Sequence, residues 1–143
     1  MEQEIPLADF VVEMKPPRST VGFYADARVF ENSIGREGQR LFRIVRPGGE
    51  NVFLKHGPRE RAEILGNEVS RCAWAWGKIP TPRVVDFSVG PLGAFFLMGE
   101  MPGSPSHLCR HPVVEIARLL REGLGCLASV PIAGCPFDMS LEG

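Results

Sequence analysis

The chain has 143 residues, of which 44% are apolar and 23% charged, and its formal net charge is -1. This length allows one domain with a buried core and is short for two. The even balance of acidic and basic residues gives no sign of a nucleic-acid or membrane-surface partner.

The patterns of cysteine, histidine and apolar residues argue against further classes of protein. The four cysteines form no C-x-x-C pair and the three histidines lie at no zinc-ligand spacing, which argues against a metal cluster. The N-terminus carries acids where a secretory signal has lysines, and no apolar run reaches the ~18 residues of a membrane span. We therefore expect a cytoplasmic protein.

The first 24 residues are predicted to form an N-terminal arm. A short apolar patch, Phe10 to Val12, is followed by the helix-breaking pair Pro16 and Pro17. This pattern suggests a docking segment and then a break in the chain.

Five strands are predicted after the arm. ARVFENS, QRLFRIVRPGG and NVFLKHG have β character, and the turn Pro47-Gly48-Gly49 joins the last two into an antiparallel meander. RVVDFSVG and AFFLMGEM read as two further strands, joined by a Gly-Pro-Leu-Gly turn. The expected sheet has about five strands.

Two amphipathic helices are predicted from apolar residues three and four apart. The first spans residues 59–77 and ends at Gly77, with a buried face of Ala62, Leu65, Val69, Cys72 and Trp76. A Pro/Gly/Ser-rich linker, MPGSPSHLCRHP, precedes the second helix, whose apolar face is Val113, Ile116, Leu120, Leu124 and Leu127.

Lys55 and Glu68 are the first candidates for chemistry. Lys55 closes an apolar strand, and Glu68 lies on the flank of the buried helix stripe, where a carboxylate can reach under the sheet. If the two form an ion pair, the held ammonium can bind a phosphate oxygen as a point charge. A solvated edge lysine and a snorkelling glutamate fit the same pattern.

A glycine-containing turn lies between the first two of these strands. In SIGREGQRLFRI, Gly35 and Gly38 flank the turn, and its exposed backbone N–H groups could approach phosphates. Most such turns are only hairpins.

The order of elements is more informative than any one of them. The chain runs from a strand through a glycine turn to a second strand, and then to a strand that ends in lysine. A helix with a glutamate, two further strands and a Pro/Gly linker follow. This is the layout of a kinase small lobe. The chain resembles the N-terminal part of the aminoglycoside 3'-phosphotransferases, which are bacterial antibiotic-resistance enzymes with a protein-kinase-like fold. The matching pieces are SIGREGQRLFRI, VFLKHG, LGNEVSRCAWAW, IPTPRVVDF, FFLMGEMPGSP and LASVPIAGCPFD.

The resemblance implies a site for ATP. Lys55 would bind its phosphates with Glu68 as ion-pair partner, and Gly35 to Gln39, with Gly38 between them, would be the nucleotide-positioning loop.

The resemblance also implies a place for adenine. The backbone of Met98, Gly99, Glu100 and Met101 would hydrogen-bond the base, with Phe53 and Met98 as apolar walls of its slot. Phe53 and Met98 fit equally well as plain core residues.

Two positions depart from the family pattern. Glu37 stands where the nucleotide loop commonly has serine, and its charge would repel a phosphate unless it turns outward. Ala128 stands where the family usually has histidine.

The expected fold is α+β: a kinase-like small lobe at residues 25–101, then a linker and the first helix of an incomplete large lobe at 102–143. Neither the H-G-D-x-x-x-x-N catalytic loop nor the D-x-G metal motif occurs in the sequence. We therefore expect the chain alone to transfer no phosphate, and expect Mg2+ and the aminoglycoside to bind only in a complete enzyme.

Three hypotheses remain. The chain is the N-terminal portion of an aminoglycoside phosphotransferase-like kinase, or a non-catalytic small-lobe remnant that binds nucleotide weakly or packs on a partner, or an unrelated α+β binding domain. Self-association through the apolar face of the second helix is expected if nothing covers it.

Overall fold

The computed structural model describes residues 2–32, 38–105 and 108–137. Within them the strands are β1 (Glu2–Ile5), β2 (Arg28–Asn32), β3 (Arg40–Val45), β4 (Val52–Gly57), β5 (Val84–Gly90) and β6 (Gly93–Gly99), and the α-helices are α1 (Leu7–Met14), α2 (Ala62–Ala75) and α3 (Val113–Ala128). Short 3-10 helices cover Arg18–Phe23 and Arg59–Arg61.

The chain divides into two compact units. The first unit contains the residues up to 73 together with 82–100, and the second contains 74–81 and the residues from 101 onward. The first unit holds the whole sheet and most of α2, whereas α3 belongs to the second.

The sheet is antiparallel, with the strand order β1-β2-β3-β4-β6-β5. The predicted α+β fold is confirmed, and the five predicted strands are β2 to β6. The Gly-Pro-Leu-Gly turn joins β5 to β6, and Gly93 in it has φ 113°, a backbone conformation that suits glycine.

One face of the sheet is covered by the N-terminal arm. Phe10 and Met14 of α1 are buried against Phe42, Ile44 and other core residues of the strands. The ring centroids of Phe10 and Phe42 lie 5.1 Å apart in an edge-on arrangement. The arm is thus part of the core on this face.

A sixth strand and helix α1 were not predicted within this arm. Glu2–Ile5 pairs with β2, and its burial pattern is almost wholly exposed. Its sequence therefore lacks the apolar alternation of a half-buried strand, because backbone pairing at the sheet edge and not side-chain burial defines it.

Helix α2 covers the opposite face. Leu65 is fully buried there with Ala94, Phe96 and Met98, and Ala62, Val69 and Cys72 pack around them. Gly77 follows the helix with φ 77°. The prediction that Trp76 belongs to the buried face was wrong, since α2 ends one residue before it and its side chain is 53% exposed.

The second unit contains the predicted amphipathic helix as α3. Glu115 and Glu122 both form ion pairs with Arg118 on its surface. Val113 and Leu120 are exposed, as are Leu124 and Leu127. None of the described helices is long and apolar enough to cross a membrane.

Replacing Phe10 by alanine tests whether the arm belongs to the core. We expect Phe10→Ala to lower the free energy of unfolding in urea by about 3–5 kcal/mol, because a fully buried ring is lost. The matched control is Val12→Ala on the exposed side of the same helix, where the side chain is 72% exposed. Equal and small losses in both variants would contradict the packing of α1.

Candidate functional site

Lys55 and Glu68 form the ion pair that the sequence suggested. The side chains of β4 alternate across the sheet, so Leu54 enters the core with α1 and Lys55 points to the α2 side. Lys55 Nζ lies 2.6 Å from Glu68 Oε1, and the two side chains are 22% and 38% exposed. One of the three ammonium donors is thereby used, and Glu68 is its one acceptor among residues 2–32, 38–105 and 108–137.

Helix α2 holds Glu68 in reach of the sheet. Leu65, three residues earlier, is fully buried in the α2 face, and Cys72, four residues later, packs beside the same cluster. Burial raises the pKa of the Cys72 thiol, and the carboxylate of Glu68 adds to that shift while Lys55 opposes it. Cys72 is therefore a neutral packed thiol and not a nucleophile in this site.

Phe53 and Met98 lie side by side on the same face of the sheet. They are directly opposite in the antiparallel pairing of β4 and β6, and Lys55 is opposite Phe96 in the next row on this face. Met98 is 8% exposed and belongs to the cluster around Leu65, with Phe53 packed against it. The apolar pair thus lies one row of side chains, about 7 Å, from the lysine.

The end of β6 carries the predicted base-binding backbone. The amide of Gly99 donates to the carbonyl of Arg83 at 2.9 Å, and the amide of Glu100 donates to the carbonyl of Asn51 at 3.1 Å. Both N–H groups are therefore engaged within the first unit. For residues 99 and 100, this leaves the carbonyl oxygens as the backbone groups to offer a ligand.

The Glu100 side chain is held in a polar cluster that sequence patterns did not identify. Its carboxylate accepts from Arg43 Nε at 2.5 Å and from Asn51 Nδ2 at 2.9 Å. Burial raises the pKa of Glu100, but the bonds from Arg43 and Asn51 outweigh it and leave the pKa below its usual value. The one available signal was Arg43 itself, a charge between Leu41 and Val45 in an otherwise apolar alternation.

Only the last two residues of the proposed nucleotide loop are described. Gly35 and Glu37 lie outside the described residues, whereas Gly38 has φ 79°. Gln39 lies beside the end of β4, because a Cβ added to Gly57 would meet its Cγ at 3.8 Å. The described end of the loop is therefore at the Lys55 end of the strand and not at the Phe53 end.

The remaining predicted site residues fall in the second unit. Met101 begins this unit's later segment and is 36% exposed. In the CPFD stretch, Cys135 Sγ donates to the carbonyl of Phe137, and the following Asp138 lies outside the described residues.

No group of three or more metal-ligating side chains occurs among residues 2–32, 38–105 and 108–137.

Aminoglycoside phosphotransferases are among the relatives of this chain. No protein-family model matches the chain. It is 25% identical over 112 residues to an aminoglycoside 3'-phosphotransferase of Escherichia coli, covering 75% of this chain and 41% of the relative. It is 30% identical over 110 residues to streptomycin 3''-kinase of Streptomyces griseus, covering 76% and 39%. A third relative, aminoglycoside 3'-phosphotransferase of Niallia circulans, is 25% identical over 131 residues, covering 88% and 49%.

A solved structure shows the same fold. The chain superposes on aminoglycoside phosphotransferase APH(3'')-Id from Streptomyces rimosus with a TM-score of 0.65 and 24% identity, covering 96% of this chain and 48% of that one. In protein kinases a strand lysine pairs with a helix glutamate, and Lys55 and Glu68 have this arrangement. The chain is a relative of the aminoglycoside phosphotransferases and spans less than half of the length of each of these relatives.

Proposed function

We propose that the first unit binds ATP and that the chain is the nucleotide-binding portion of an aminoglycoside phosphotransferase-like kinase. The observation that supports the proposal is the ion pair between Lys55 and Glu68, 2.6 Å apart on the α2 side of the sheet. A location in the bacterial cytoplasm, where ATP is available, belongs to the same proposal.

The lysine is suited to hold phosphate because its position is fixed and its charge is not fully used. Glu68 binds one ammonium hydrogen and restricts the flexible side chain, so less conformational entropy is lost when a phosphate binds. The side chain is 22% exposed, which leaves the ammonium reachable from solvent. Two free donors can then meet two phosphate oxygens.

The base would lie toward the other end of the same face. Phe53 lies there beside the buried Met98, and a purine ring stacked on this apolar floor would bury one of its faces. The backbone of Met98 to Met101 would pair with the edge of the base. Gly38 and Gln39 would contribute the end of the nucleotide loop at the phosphate side.

Complete activity would need groups that the sequence does not contain. In a complete enzyme, Mg2+ would supply charge neutralisation at the phosphates, and a separate catalytic base would orient the acceptor hydroxyl. This chain's own residues account for the binding of the nucleotide and for no later step. The acceptor, an aminoglycoside, would bind only where the catalytic motifs are present.

A second candidate function is that of a non-catalytic interaction module. The observation that favours it is the apolar surface of α3, where Val113 is 82% exposed and Leu120 63%. Such a surface on a small protein marks a contact with another protein surface. On this hypothesis the lysine and glutamate would be a structural ion pair.

Binding of ATP separates the two candidates. In EDTA, a nucleotide at ten times its dissociation constant should stabilise the parent chain by about 1.4 kcal/mol, measured as a rise in melting temperature of a few degrees. Lys55→Ala should abolish that rise, because the phosphates lose the ammonium.

The matched control is Lys78→Ala. Lys78 also bonds a single acceptor, the carbonyl of Trp74, but it lies outside the sheet. It should keep the full ATP effect. An unchanged melting temperature of the parent in ATP would remove the nucleotide site and favour the interaction module.

Phosphate transfer is expected to be absent from the pure 143-residue chain. Incubation with ATP, Mg2+ and kanamycin should give no phosphorylated drug by mass spectrometry, because neither catalytic motif is in the sequence. Turnover that follows the chain through purification and disappears in Lys55→Ala would contradict this expectation.

The exposed face of α3 should make the isolated chain self-associate. Light scattering should give a mass that rises with protein concentration, since burial of Leu120 and Leu124 between copies removes apolar area from water. Leu120→Glu with Leu124→Glu should restore the monomer, whereas Arg121→Glu on the same helix should not. A parent chain that is monomeric at all concentrations would contradict the prediction.

A further inference from the structure

A charged cluster lies at the end of β6, on the face of the sheet that carries the proposed nucleotide site. The Glu100 carboxylate binds Arg43 through one oxygen and Asn51 through the other, at 2.5 and 2.9 Å. The Arg43 and Glu100 side chains are only 32% and 25% exposed. Partly buried, charge-assisted bonds of this kind are stronger than pairs in open solvent.

The strand register places this cluster beside the apolar pair. Arg43 is directly opposite Phe53 on β3 and β4, and Phe53 is directly opposite Met98 on β4 and β6. These three side chains therefore form one row on one face. Glu100 lies two residues beyond Met98, so its side chain is on the same face in the next row.

The cluster fixes the backbone as well as the side chain. The Asn51 carbonyl accepts a hydrogen bond from the Glu100 amide at 3.1 Å. The Asn51 side-chain amide donates a hydrogen bond to the Glu100 carboxylate at 2.9 Å. Residue 100 is thus tied to the same partner through its main chain and its side chain. Free rotation of the peptide that follows Gly99 would break both bonds.

The opposite face of the same backbone is also restrained. A Cβ added to Gly99 would lie 2.6 Å from Glu50 Oε1, so the Glu50 carboxylate rests directly on this residue. Glu50 is held there by Arg83 at 2.6 Å, and the Arg83 carbonyl accepts the Gly99 amide. An arginine-carboxylate pair therefore lies on each side of the end of β6.

We propose that Arg43, Glu100 and Asn51 form a positioning cluster that fixes the backbone of residues 99 and 100 for the edge of a purine base. The cluster selects for the base of the ligand and contributes nothing to the binding of its phosphates. This inference rests on the proposed nucleotide-binding function. Its physical basis is preorganisation: a backbone already held in the binding geometry loses little entropy when the base arrives.

The Glu100 cluster and Lys55 lie apart on the same face of the sheet, so their effects on a ligand can be measured separately. Lys55 is in the row next to Phe53, on the side away from Glu100. Loss of the cluster should loosen the base end and leave the ammonium and its Glu68 partner in place. A merely structural ion pair would instead affect all ligands and the fold alike.

The experiment measures three ligands on the full 143-residue chain by titration calorimetry in EDTA: ATP, adenosine and inorganic tripolyphosphate. Glu100→Gln keeps the shape of the side chain and removes the charge that Arg43 binds. It should weaken ATP and adenosine about tenfold and leave tripolyphosphate unchanged. Lys55→Ala should show the reverse pattern, with tripolyphosphate and ATP weakened and adenosine unchanged.

The matched control is Glu4→Gln. Glu4 makes a two-bond pair with Arg28, both at 2.8 Å, on strands β1 and β2 of the same sheet. It should alter none of the three affinities. Arg43→Gln combined with Glu100→Gln should weaken adenosine no further than either single variant, because both remove one interaction.

Each other outcome overturns the inference. Unchanged adenosine affinity in Glu100→Gln, or equal weakening of adenosine and tripolyphosphate, would show that the cluster is only structural. A parent chain that binds tripolyphosphate but no adenosine would end this inference and leave the phosphate site standing. A parent chain that binds none of the three ligands would end the proposed function together with it.

Discussion

The position of Lys55 depends on the alternation of one central strand. Val52 and Leu54 of β4 are fully buried on the α1 side, so Phe53 and Lys55 must point to the other side. A lysine there can be covered only if a carboxylate meets it, because a partly desolvated ammonium without a partner is costly. Helix α2 meets this constraint with Glu68, and its own placement is set by the buried Leu65.

The N-terminal arm stabilises the position of Lys55 by packing on the opposite side of the sheet. Phe10 and Tyr24 pack on the sheet with ring centroids 5.4 Å apart, and they close the core into which Leu54 points. If that face were open, β4 would gain little from keeping its register. The residues that hold Lys55 in place therefore include some that lie on the other side of the sheet.

Local sequence patterns were sufficient to predict most of the fold and the pairing of Lys55 with Glu68. The strands β2 to β6 and the two predicted helices have apolar periodicity, and Glu68 could be placed on a helix flank by counting from Leu65. The strand β1 could not be found this way, since backbone pairing to β2 defines it. The Trp76 error has a related cause: periodicity continues past the residue at which the helix ends.

The cluster at Glu100 was beyond the reach of local patterns for another reason. Its members are 43, 51 and 100 in the sequence, and only the register of three strands brings them together. A residue can be assigned to a strand from the sequence alone. Its neighbours across the sheet follow from pairing, which depends on turn lengths and long-range contacts.

The charged groups on the α2 side of the sheet differ between its two ends. Arg43 lies between two carboxylates, with Glu100 at 2.5 Å and Glu2 at 3.9 Å, so its positive charge is already matched by acidic side chains. Lys55 meets one carboxylate, that of Glu68, in the part of the chain that the structure describes. Under the proposed function, the phosphates would lie at the Lys55 end, where the ammonium attracts them, whereas a neutral base would not depend on that charge. The same two ion pairs that order the side chains would therefore also set which way round a nucleotide lies.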